Sequence, residues 1–104
     1  MKYGLKDNII QLICDVFSTF PQVEKAVLYG SRAKGNFKNG SDIDLTLQGG
    51  EALTLNILGD IMDALDELHL PYSFDVSLFR DISDADLLEH IQRMGITFYE
   101  KPSA

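Results

Sequence analysis

Residues 41–50 read SDIDLTLQGG, and their alternation leaves the chain little choice of backbone. In an extended strand successive side chains point to opposite faces, so Asp42, Asp44 and Thr46 share one face and Ile43, Leu45 and Leu47 the other. Gly49-Gly50 ends the run. Residues 72–79, YSFDVSLF, repeat the pattern after Pro71, with Phe74, Val76 and Leu78 opposite Asp75, Ser77 and Phe79. Each strand has one wholly apolar side, which other elements must cover, and an opposite side that carries its acids.

Helical spacing supplies them. Ile9, Leu12, Ile13, Val16, Phe17 and Phe20 form a stripe capped by Asp7 or Asn8 and stopped before Pro21. Residues 51–68 carry Leu58, Ile61, Met62, Leu65 and Leu68 as a second stripe. Residues 83–94 carry Leu87, Leu88, Ile91 and Met94 inward, with Ser83 as cap and Gly95 as stop. KAVLYG, residues 25–30, is a short strand halted by glycine. SRAKG can make one helical turn, NFKNG is a loop, and ITFYE is available as a last short strand. The expected architecture is α+β, a small mixed sheet with helices packed mainly on one face.

At 104 residues and 45% hydrophobic, one domain spanning 1–104 is expected. A net charge of −7 argues against gripping nucleic acid through its phosphates, so no direct nucleic-acid binding is expected. Cys14 stands alone, which excludes a disulfide framework and a thiolate zinc site, and it is expected to pack or lie at the surface rather than act as a nucleophile. Apolar runs are far shorter than the roughly 20 residues of a membrane span, and no secretion signal is evident, so the expected home is the cytoplasm.

The acids of the first alternating strand follow a Gly-Ser pair at a fixed distance: Gly30, Ser31, ten residues, Asp42, Asp44. Two carboxylates about 7 Å apart on one strand face repel, and a divalent cation resolves the conflict. Carboxylate oxygens suit Mg²⁺, which keeps part of its shell for water and phosphates. Glycine allows a sharp bend and close backbone approach, and a helix start after it attracts phosphate. Arg32 and Lys34 lie beside this corner, open to two uses: offsetting phosphate charge or standing solvated. Of the two, Arg32 is assigned to the nucleotide. Asp75 interrupts an apolar run and would be costly without a partner, which makes it the candidate third carboxylate. His69 and His90 have no partner at metal-ligand spacing and receive no role. Ser41 is expected to buttress the turn before Asp42. Tyr29 and Phe37 could flank a base, though packing is the commoner use of a residue placed like Tyr29.

GSRAKG, then SDIDL, then one Asp in a later strand resembles the minimal nucleotidyltransferase (MNT) family of the polymerase-beta-like nucleotidyltransferases, over nearly the whole chain. The resemblance implies that Gly30 and Ser31 bind nucleotide phosphates and that Asp42 and Asp44 hold two Mg²⁺ ions. It implies that Asp75 ligates the catalytic ion and assists the nucleophile. It further implies AMP transfer from ATP to an acceptor hydroxyl, and a separately encoded helical HEPN partner in a hetero-oligomer. There the acceptor is a tyrosine of a ribonuclease toxin and the nucleotidyltransferase is the antitoxin. The small size leaves little surface for an acceptor pocket, consistent with an acceptor on another chain. Two other functions fit the same residues: a non-catalytic subunit that neutralises a helical partner by contact, and a two-subunit transferase acting on a small-molecule hydroxyl.

Overall fold

The computed structural model describes residues 1–103. The elements are α1 (Asp7–Ser18), β1 (Lys25–Tyr29), α2 (Ser31–Lys34), β2 (Ile43–Gln48), α3 (Leu55–Asp66), β3 (Phe74–Leu78), a 3₁₀ turn (Phe79–Asp81), α4 (Ala85–Met94) and β4 (Ile96–Glu100). The four strands form one sheet in the order β3-β2-β1-β4. β1 is antiparallel to both β2 and β4, whereas β2 and β3 run parallel. A parallel neighbour needs a crossover, and α3 is that crossover.

The two sheet faces differ sharply. On one, Ala26 and Leu28 of β1, Ile43, Leu45 and Leu47 of β2, and Val76 and Leu78 of β3 meet Ile13 and Phe17 of α1 and Ile61 and Leu65 of α3 in the main core. Ile13, Phe17, Leu28, Ile43, Leu45 and Ile61 have no exposed surface. Burying each such side chain contributes about 1.5–3 kcal/mol, so this face supplies most of the fold's stability. On the other face Val27, Tyr29 and Ile91 form a smaller cluster with Phe79, Ile82 and Leu87. Helices therefore sit mainly on one face, and α4 is the exception. It covers the β1 half of the second face and leaves the polar half of β2 and β3 open.

Helix ends depart from the expected caps. α1 follows Lys6, whose side chain makes no cap bond, while Asp7 sits in the first turn, where an acid favours the positive helix start. Leu5 before the cap and Ile10 in the next turn both pack into the main core, an arrangement that fixes the entry angle without a polar cap. α3 starts at Leu55 rather than Glu51 because Thr54 Oγ1 accepts from Ile57 N at 3.3 Å. Leu53 instead plugs the core from the preceding turn. α4 is capped by Asp84, not Ser83: its carboxylate accepts from Asp86 N at 2.9 Å and Leu87 N at 3.3 Å. Leu12, Met62 and Met94, expected inward, lie on the exposed edges of their stripes. Cys14 is half-buried, donates to Phe98 O at 3.4 Å, and has its thiol pKa raised by burial first and by Asp15 second. That is a packing cysteine. Among the described residues no helix is long and apolar enough to cross a membrane.

Candidate active site

The register of β2 against β3 sets Asp75 directly beside Asp44. Adjacent strands are about 4.8 Å apart, and paired residues point to the same side, so the two carboxylates are neighbours on the polar face. Asp42, two residues before Asp44, projects from that face just ahead of β2. On the other side of Asp44 the register brings Tyr29, the last residue of β1. One step further in from the acids, Ser77 Oγ donates to Thr46 Oγ1 at 3.1 Å, which ties β3 to β2 beneath them.

Burial and like charge both act on this face. The Asp44 carboxyl is pushed up from 3.8 to about 6, by burial first, then by Asp75 and Asp42, with Arg32 pulling the other way. Burial, followed by the Asp75 charge, also raises the Tyr29 hydroxyl, opposed by a hydrogen bond with Ser77. Both shifts come from partial burial first and from neighbouring carboxylates second. Asp42 and Asp75 are exposed. The three acids share a face, yet no three His, Cys, Asp or Glu side chains among the described residues are drawn into one closed metal-ligating cluster. Three-way convergence, which the sequence led us to expect, is thus present as alignment along the sheet and not as ready-made coordination.

Across from Asp44 stands the glycine-serine corner. Gly30 adopts φ 76° and ψ −155°, a region open essentially to glycine alone. A Cβ on Gly30 would also collide with Asp44 Oδ2. Gly30 is therefore required by its dihedrals, and a larger residue there would also displace the Asp44 carboxylate. Ser31 opens α2, a single turn closed by Gly35 in the left-handed conformation. The first turn of any helix leaves leading amides without intrahelical acceptors, and here that turn borders the acids.

Arg32 departs from the expected phosphate ligand. Its side chain is 2% exposed. The guanidinium donates from Nη1 to Tyr3 O at 2.9 Å, and from Nη2 and Nε to Ser41 O at 2.8 and 3.2 Å. It lies over the rings of Phe37 and Tyr72, 5.4 and 5.1 Å from their centroids. With Nε, Nη1 and Nη2 each bonded to a carbonyl, Arg32 ties the N-terminal turn, α2 and the residue before Asp42 together, and its charge pulls the Asp44 carboxyl down. Phe37 stacks on Arg32 instead of standing ready for a base. Lys34 is exposed. Ser41 buttresses its turn as expected, with its Oγ accepting from Lys38 N at 2.8 Å.

One residue had escaped the sequence reading. Gly30 N–H donates to His90 Nε2 at 3.0 Å, and the imidazole meets the Tyr29 ring edge-on, with centroids 6.3 Å apart. No sequence spacing links residues 30 and 90. Only the seating of α4 against β1 does.

The donor set fits Mg²⁺: hard carboxylate oxygens, a raised Asp44 pKa that a cation would relieve, and a glycine bend that lets the Asp44 carboxylate lie close against the backbone. A mixed four-stranded sheet with paired acids facing a glycine-serine bend is the arrangement of a nucleotidyltransferase domain. A profile of the family described as polymerase beta, nucleotidyltransferase, matches residues 11–104, and the chain belongs to that family. Among solved structures it resembles a toxin–antitoxin complex with AMP-PNP (21% identity, 93% of this chain and 75% of that one, TM-score 0.67). It also resembles the complex of a tri-AMPylated Shewanella oneidensis HEPN toxin with its MNT antitoxin (18% identity, 91% and 69%, TM-score 0.58). The toxin–antitoxin MntA-HepT is similar to the same degree (18% identity, 91% and 69%, TM-score 0.57). Comparison with curated protein sequences finds no match.

Proposed function

We propose that this chain is an MNT-type antitoxin that transfers AMP from ATP to a hydroxyl of a HEPN-type partner protein, a tyrosine by the reading above. The observation that carries the proposal is the parallel register that sets Asp75 beside Asp44, opposite Gly30 and Ser31. The likeness to a toxin–antitoxin complex with AMP-PNP and to one with a tri-AMPylated HEPN toxin supports the nucleotide and the partner.

In this reading Asp42 and Asp44 hold Mg²⁺, with Asp75 contributing to a second ion. When bound, the metal supplies neutralisation of charge developing on the phosphates. Ser31 offers its hydroxyl and amide to the triphosphate. Gly30 N–H is already engaged by His90, so the glycine's part is the bend itself. Asp75 is exposed at the open half of the face, where it can accept the proton of the incoming hydroxyl. The acceptor oxygen forms a bond to the α-phosphorus as the bond to the bridging oxygen breaks, and pyrophosphate leaves. Alignment of acceptor and nucleotide does most of the work, as in other in-line displacements.

The test mixes the chain with its partner, ATP and Mg²⁺ and weighs the partner by mass spectrometry. A mass gain of one or more AMP units is expected, lost in Asp42→Asn and Asp44→Asn. Undiminished neutralisation of the partner without ATP would overturn the catalytic reading in favour of contact alone.

A further inference from the structure

The residue at the far side of the glycine-serine corner is His90, and the backbone explains why it is there. β1 pairs with β2 up to Tyr29 opposite Asp44, and with β4 only up to Leu28 opposite Ile96. Gly30 lies beyond both ladders, so neither neighbouring strand offers its amide an acceptor. A half-buried N–H without a partner is costly, and glycine is the residue most free to turn away and find one. His90 Nε2 stands at 3.0 Å and takes that bond.

His90 is itself held. Its ring abuts Tyr29 at an interplanar angle of 72°, and its neighbour Ile91 is buried against Val27 and Tyr29. At the end of α4 a Cβ on Gly95 would strike Val27 Cγ1, so the helix is seated close on β1. Gly30 is thus pinned from two sides, by the Asp44 carboxylate against its α-carbon and by a ring on α4 at its amide. Lys34 N donates to Gly30 O at 3.1 Å, so Gly30 and the turn that carries Ser31 move as one; without the His90 bond the Tyr29–Gly30 peptide could rotate and carry that turn with it.

We propose that His90 is a positioning residue of the nucleotide site: by accepting the Gly30 amide proton it fixes the bend that presents Ser31 to the phosphates. This rests on the nucleotidyl-transfer reading above. Losing one hydrogen bond that orders a binding backbone should weaken MgATP binding about threefold to tenfold.

Three proteins test it: the full chain, His90→Phe and His90→Gln. Phenylalanine keeps a ring on Tyr29 and removes the acceptor. Glutamine places a carbonyl oxygen near the position of Nε2. Calorimetric titration with MgATP should show the threefold to tenfold loss in His90→Phe and recovery to within about twofold in His90→Gln. Gly30 amide exchange should quicken in the first variant and not in the second. Equal affinity of His90→Phe and the unaltered chain, tighter binding by His90→Phe, or failure of His90→Gln to recover would each overturn the proposal. Should His90→Phe not fold, ¹⁵N spectra of the unaltered chain decide: an unprotonated Nε2 with the proton on Nδ1 supports it, and an Nε2–H tautomer overturns it. If the unaltered chain binds MgATP but transfers nothing, transfer falls while the affinity comparison still judges His90. If it binds no MgATP, both fall.

Discussion

Asp44→Asn should stabilise the protein while silencing it. The carboxyl of Asp44 titrates near 6 instead of 3.8 because burial, Asp75 and Asp42 all oppose its charge. Its folded pKa is raised, so the native state binds the proton more tightly than the unfolded chain between pH 4 and 6. Stability is then full below that window and falls as pH rises through it. The gap sets an upper bound of about 3 kcal/mol, and solvent screening at a partly exposed site brings the expected penalty at pH 7 to about 1–2 kcal/mol. Asparagine has nearly the same shape without the charge. In EDTA at pH 7.5 its thermal midpoint should exceed that of the unaltered chain by about 5–10 °C, the gap closing at pH 4. Millimolar Mg²⁺ with ATP should narrow or reverse the difference, since only the unaltered chain gains from binding. A variant that is less stable at pH 7.5, or whose advantage is the same at pH 4, would refute the idea that burial and like-charge crowding together oppose the Asp44 charge.

The corner and the clamp give two further expectations. Gly30→Ala should cost at least about 2 kcal/mol in urea denaturation and bring MgATP binding below detection, because alanine meets both the disfavoured dihedrals and Asp44. Gly40→Ala, with open space around it, serves as the neutral control. Arg32→Ala should destabilise by about 2–4 kcal/mol in the same assay, and Arg32→Lys should recover less than half, since an ammonium cannot serve Tyr3 O and Ser41 O while stacked between Phe37 and Tyr72. Unchanged stability with lost ATP affinity would instead make Arg32 a phosphate ligand.

What the sequence disclosed was what period and turn chemistry control. Asp42, Asp44 and Thr46 fall on the polar face because alternation is local, and Asp75 falls on it for the same reason. Gly30 and Ser31 were legible because a strand that stops at glycine must bend there. Non-local choices were hidden. Nothing in GSRAKG tells a solvated arginine from one folded back under Tyr3, because the carbonyls it serves come from the amino terminus and from the residue before Asp42. His90 looked like any helix-face histidine until α4 was placed on β1. The caps failed where two polar residues stood side by side, and Asp84 prevailed over Ser83 through the geometry of a single turn.

The parallel pairing of β2 with β3 has a developmental meaning for the molecule. A hairpin would have let neighbouring residues assemble the acids early, whereas this pair waits for the whole of α3 to be laid across the sheet. A nascent chain that has emerged only as far as Gly50 already carries Gly30, Ser31, Asp42 and Asp44 but not Asp75. The third acid arrives later in synthesis, on a strand that also brings Val76 and Leu78 into the hydrophobic layer, so the full set of acids and much of the core are completed by the same docking event.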